Sequence, residues 1–181
     1  MNYRIALLAL SLLLFSLPGA SVAQESNRFI DLPVEILAET WLTRNCGVDD
    51  EPLLEIAVTR QGSALQPLFI SAWREGPPDA TLRETREAAS ARFERNRSAL
   101  DDPEGLGLST ENLERARNQT EDAYVSRAVD SFDIGYRSQA LRGLYFAGGD
   151  EGRQILEQAA ADAQSPFSSA ARIVLERDNA Q

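Results

Sequence analysis

Histidine and lysine are both absent from this sequence, cysteine occurs once, and the only methionine is the first residue. Each absence removes a class of chemistry. Without histidine there is no imidazole base, no Ser-His-Asp or Cys-His pair and no imidazole metal ligand. Without lysine there is no P-loop phosphate lysine, no Schiff base and no Ser-Lys pair. A single cysteine, Cys46, cannot build a thiolate zinc site or an internal disulfide. What remains is carboxylate, hydroxyl or arginine chemistry, or none.

Long apolar runs are scarce too, and the one present lies at the start. Residues 5–17 are apolar apart from Ser11 and Ser16, Arg4 precedes them, and Pro18-Gly19 closes the run. Ser21-Val22-Ala23 then places small residues where a signal peptidase cleaves. The run is about 13 residues, short of the roughly 20 that span a bilayer. Residues 1–23 therefore read as a secretory signal peptide, with a mature chain starting at Gln24 that is exported, periplasmic or secreted. Residues 24–181 read as one all-α domain, with 24–32 an irregular N-terminal segment. The mature chain carries 17 arginines against 28 acids, a net charge of −11. That balance repels nucleic acid and anionic lipid, so neither is expected as a partner. It serves solubility or a neutral or basic partner.

The mature chain reads as helical throughout. It holds 21 alanines and 16 leucines but only 13 valines and isoleucines together, and the first two residue types favour helix where β-branched ones favour strand. Apolar residues recur at i, i+3, i+4, i+7 and i+8 four times. The sets are Val34, Leu37, Ala38, Trp41, Leu42; Leu65, Leu68, Phe69, Ala72, Trp73; Gly152, Ile155, Leu156, Ala159, Ala160; and Phe167, Ala170, Ala171, Val174, Leu175.

Punctuation places the boundaries. Asn45-Cys46-Gly47 ends the first helix, and Asp49 or Asp50 caps the next. Ser63 is expected to cap a helix with Pro67 in its first turn, Asp79 follows the stop at Gly76-Pro77-Pro78, Gly148-Gly149-Asp150 repeats that logic, and Ser165 caps with Pro166 at the first helical position. A polar helix over residues 79–100 has a thin apolar stripe, Leu82, Ala89, Phe93 and Leu100, with Asp79–Arg83 and Arg83–Glu87 as i, i+4 pairs. Ser109 or Thr110 opens a helix over 111–132, with a kink at 133–135 before 136–147. The fold class is all-α, with about seven to eight helices in antiparallel pairs, a short solenoid or an irregular bundle.

A weak repeat links the two ends. Leu54, Ala57, Val58, Gly62, Leu68, Phe69 and Ala72 overlay Leu141, Leu144, Tyr145, Gly149, Ile155, Leu156 and Ala159 at a constant offset of 87 residues. Each copy is helix, glycine-containing corner, helix. Together with Arg142-Gly143-Leu144, Gln154-Ile155-Leu156, Ser165-Pro166 and Ala170-Ala171, these pairs resemble HEAT or armadillo-type repeats over about Asp50-Gly76 and Tyr136-Arg177. The resemblance implies stacked helix pairs used as a protein-binding scaffold. The arginine-rich helix between them departs from it.

Candidate sites are few. Cys46 falls on an apolar face near a helix C-terminus, whose partial negative charge opposes thiolate formation. The acidic groups Asp49-Asp50-Glu51, Asp101-Asp102-Pro103-Glu104 and Asp130 to Gly135 lack the alternating pattern of a calcium loop and read as caps. Glu35, Glu39 and Glu55 lie near apolar residues, as a glycan-cleaving acid would, but fall off the apolar stripe. The segment Gly105-Leu106-Gly107-Leu108-Ser109-Thr110 resembles glycine-rich stretches of goose-type lysozymes and lytic transglycosylases, without a Glu-Ser catalytic pair. Arg83, Arg86, Arg92, Arg95 and Arg97 read as a solvated, self-paired face or an anion-binding strip. Asn96-Arg97-Ser98 and Asn118-Gln119-Thr120 match the glycosylation sequon inside expected helices. No catalytic, cofactor-binding or metal residue is assigned, and no cofactor is expected. The sequence points to a non-catalytic protein-interaction or scaffold module of the cell envelope, with a carboxylate-dependent hydrolase or lyase on envelope polymers, or a structural accessory subunit, as alternatives.

Overall fold

Alanine- and leucine-rich stretches become helices wherever glycine, proline or a capping hydroxyl does not interrupt them. The computed structural model describes residues 28–44, 51–102, 107 and 109–178. Among them are eight α-helices and no strand. They are α1 (Val34–Thr43), α2 (Glu51–Arg60), α3 (Gly62–Glu75), α4 (Asp79–Ala99), α5 (Thr110–Asn118), α6 (Glu121–Ala147), α7 (Asp150–Ala161) and α8 (Ser168–Asp178). The expected signal peptide, Cys46, the Gly47 stop and the Asp49 or Asp50 cap lie outside the described residues.

Helix α6 organises the rest. At about 1.5 Å per residue it is about 40 Å long, and its two halves have different neighbours. The C-terminal half buries Tyr136, Gln139, Ala140, Leu141, Gly143 and Leu144 against α1, α2, α3, α7 and α8. The four apolar faces read from sequence meet there: Leu37, Ala38, Trp41 and Leu42 from α1, Leu65, Phe69 and Ala72 from α3, Ile155, Leu156 and Ala159 from α7, with Phe167 and Leu175 of the fourth packed against them. Ala171 of α8 completes this core. The N-terminal half runs antiparallel to α4, which buries one residue, Ala89.

Small residues set the close approaches. A Cβ on Gly143 would lie 2.7 Å from the Phe69 ring, so the glycine lets α3 lie directly against α6. A Cβ on Gly62 would strike the Ala147 carbonyl. Gly76 (φ 81°) ends α3 and Gly148 (φ 73°) ends α6, each donating its N–H to the carbonyl four residues back. The positive φ explains the residue type.

Several boundaries move from their expected positions. The break expected at 133–135 falls instead at Gln119-Thr120, where the Thr120 hydroxyl accepts the Ala123 N–H at 3.3 Å. Glu121 and Asp122 follow in the first turn, where carboxylates suit the positive end of a helix. Helix α6 runs unbroken through Gly135, across which Asp133 and Arg137 form an i, i+4 ion pair at 2.9 Å. Arg137 also donates to the carbonyls of Trp73 (2.6 Å) and Arg74 (3.2 Å), so it caps the end of α3 and ties it to α6. Ser63 is not a cap: α3 already begins at Gly62, with Gln61 before it, and Pro67 lies inside the helix. Asp79 is the first residue of α4 after Pro78. Helix α8 starts at Ser168, two residues beyond Pro166, and the Ser165 hydroxyl accepts the Phe167 N–H at 3.3 Å.

Candidate functional site

Two groups of functional-type side chains stand out, one on the packed body and one on the α4–α6 arm. On the body the centre is Trp41, fully buried. Its indole N–H donates to the Gln139 carbonyl at 2.7 Å, its ring meets Phe146 edge-on at 5.5 Å, and the Arg44 guanidinium lies 4.2 Å above it. Arg142 sits 6.0 Å from the same ring and donates to Glu55 at 2.7 Å. Glu55 and Arg142 expose only 22% and 24% of their side chains, and Arg177 of α8 approaches the same carboxylate at 3.7 Å.

Glu55 was expected on a solvated face; it is half-buried and ion-paired instead. The pairing joins equivalent positions of the repeat, since Arg142 is 87 residues after Glu55. Matched positions 54 and 141, 57 and 144, 69 and 156, and 72 and 159 are all buried; Val58 is buried where Tyr145 is half-buried, Leu68 is half-buried where Ile155 is buried, and the corners differ too: Gly62 opens α3, and Gly149 is exposed at φ 92° before α7. Glu35 and Glu39 are exposed. Glu39 nevertheless faces Tyr136, whose phenol is pushed above its ordinary value first by burial and then by this carboxylate.

The arm is built differently. Leu82, Phe93 and Leu100 are half-buried beside Ala89, as the thin stripe required. Ser90 donates to Glu121, Phe93 meets the Tyr124 ring at 5.7 Å, and Arg97 donates to the Arg117 carbonyl at 2.7 Å. Two grooves remain between the helices. One, of about 570 Å³, is lined by Arg86, Ser90, Glu121, Val125 and Asp130 among others. The other, about 230 Å³ and more apolar, lies among Phe93, Leu100, Ala116, Tyr124, Arg97 and Gln119.

Arg83, Arg86, Arg92 and Arg95 are all exposed, and among the described residues none forms an ion pair. The expected Asp79–Arg83 and Arg83–Glu87 pairs do not close, so the face is solvated but not self-paired. Two of the three acidic groups are also not arranged as expected. Asp101 and Asp102 follow the end of α4 and Asp130 and Asp133 lie within α6, so none caps a helix N-terminus. No group of three candidate metal ligands converges among the described residues. Asn96 is exposed within α4, whereas Asn118-Gln119-Thr120 straddles the break between α5 and α6. Comparison of the chain with protein-family models, curated proteins and solved structures gives no match.

Proposed function

We propose that the chain is an exported, non-catalytic protein-interaction module of the cell envelope, in which a packed helical body carries the α4–α6 arm as its contact surface. The observation that supports this reading best is the set of four exposed arginines on α4 that have no ion-pair partner among the described residues. A helix of 21 residues that buries a single one leaves most of its surface for something other than its own fold. The body is read as two HEAT-like helix pairs, α2–α3 and α6–α7, on the matched burial of positions 87 residues apart. Export rests on the residues 1–23 segment, and intact-mass analysis of secreted material should give a chain beginning at Gln24.

Affinity capture from the envelope fraction of the source cells tests the function. The wild-type chain should recover a stoichiometric partner, and a variant with Arg83, Arg86, Arg92 and Arg95 all changed to Gln should lose it. Equal recovery with both proteins, or no partner with either, would overturn the reading.

A further inference from the structure

One flank of the arm carries a groove that neither of its helices fills. It holds about 570 Å³ between α4 and the N-terminal half of α6. Its α6 wall follows a single helical face, on which Asp122, Val125, Ser126, Val129 and Asp130 recur at i, i+3, i+4, i+7 and i+8. Val125 and Val129 are half-buried, and an exposed aspartate stands at either end of the pair. At about 1.5 Å per residue the two aspartates are about 12 Å apart along the helix. The α4 wall supplies Glu87 and Ser90, and Ser90 donates to Glu121. Four carboxylates, Glu87, Glu121, Asp122 and Asp130, therefore line the groove against one cation, Arg86.

The fold itself does not account for this lining. Valine is one of the poorer helix formers because its branched Cβ restricts it, so two valines on a partly open helix face are there for contact. Asp122 suits the first turn of α6, but the dipole effect fades beyond the terminal turns, and Asp130 and Glu87 lie deep inside their helices. Glu87, Asp122 and Asp130 form no ion pair among the described residues. Arg127, three residues before Asp130, donates to the Ala123 carbonyl at 3.1 Å instead. Asp133, three residues after it, adds a like charge, which repels at that spacing.

We propose that the groove receives a basic amphipathic helix of another protein, which lies along α4 and α6 as a third helix. Its apolar residues rest on Val125 and Val129. Arginines or lysines seven or eight positions apart on the same face reach Asp122 and Asp130, and Glu87 meets them from the α4 wall. A groove between two packed helices is the usual seat for such a helix. Charge complementarity selects a basic partner over an acidic one, and the net charge of −11 on the mature chain attracts it from a distance. The inference rests on the reading of the arm as the contact surface and names the chemistry of what binds there.

Fluorescence anisotropy with the pure mature chain tests it. The probe is a labelled helical peptide with arginines eight positions apart and two leucines between them on one face. It should bind with a micromolar Kd at low salt and more weakly at 1 M salt, where the screening length is about 3 Å. E87Q/D130N should raise the Kd by about fivefold or more. V125A/V129A should also weaken binding, although alanine is the better helix former, so circular dichroism should show its helices retained or strengthened. A peptide of the same composition with its order scrambled should bind poorly. No binding of the probe, equal binding of the scrambled peptide, or indifference to both double variants would overturn the proposal. So would a pure chain that dimerises and loses the dimer in E87Q/D130N, since a second copy would then occupy the groove. If the probe fails while envelope capture still recovers a partner that the arginine variant loses, the groove inference falls and the interaction reading stands. If capture also fails, both fall.

Discussion

At the scale of single residues, the body is held by side chains whose roles depend on partners far away in sequence. Removing the Arg142 side chain leaves the half-buried Glu55 carboxylate with only the longer contact from Arg177 and takes a cation from beside Trp41. Arg142→Ala should therefore destabilise by about 1–3 kcal/mol, read as a lower urea midpoint with unchanged slope. Gln139 behaves oppositely. Its side-chain oxygen is buried without a hydrogen-bond partner, and its other interaction, with Trp41, uses the main chain. Gln139→Met should stabilise by about 1 kcal/mol, and a loss of stability in the same titration would contradict the geometry. Tyr136 adds a pH dependence. Its folded value lies above the unfolded one of 10.0, so its contribution is complete below that pH and is lost as pH rises through the folded value. Tyr136→Phe should remove this alkaline component from the stability profile. The half-burial of Glu55 was not legible in the sequence, because helical periodicity orients a residue on its own element and says nothing of what lies opposite. The constant offset of 87 was the available signal.

At the scale of elements, the helices themselves were legible and their ends less so. The i, i+3, i+4 sets on α1, α3 and α7 point into the core as read, since burial of one face dictates the pattern. Glycine misled at 135 and not at 143, for a reason visible only in packing. A Cβ at Gly135 meets nothing within 4 Å, and one at Gly143 meets the Phe69 ring. Gly135→Ala should stabilise by about 0.5–1 kcal/mol through helix propensity, whereas Gly143→Ala should cost about 1–3 kcal/mol by overpacking. Thermal unfolding of the two variants, on either side of the wild type, checks both statements. The break at Gln119-Thr120 has its own signal in the sequence, a threonine followed by two acids, with no glycine or proline to mark it.

At the scale of the whole molecule, the absences with which the sequence began become physical properties. With no histidine and no lysine, few groups titrate between the carboxylates and tyrosine. Against the negative charge of the chain, the exposed arginines around α4 stand out among the described residues. The body explains how the molecule folds, and the arm is the part its folding leaves unexplained. Site-specific photo-cross-linking in the intact source cell tests the arm most directly. A photoreactive residue replacing Ala91, at the centre of the outward face, should yield a discrete adduct that the same residue replacing the exposed Ile173 of α8 does not. No adduct from position 91, or equal adducts from both positions, would contradict the assignment of α4 as the contact surface.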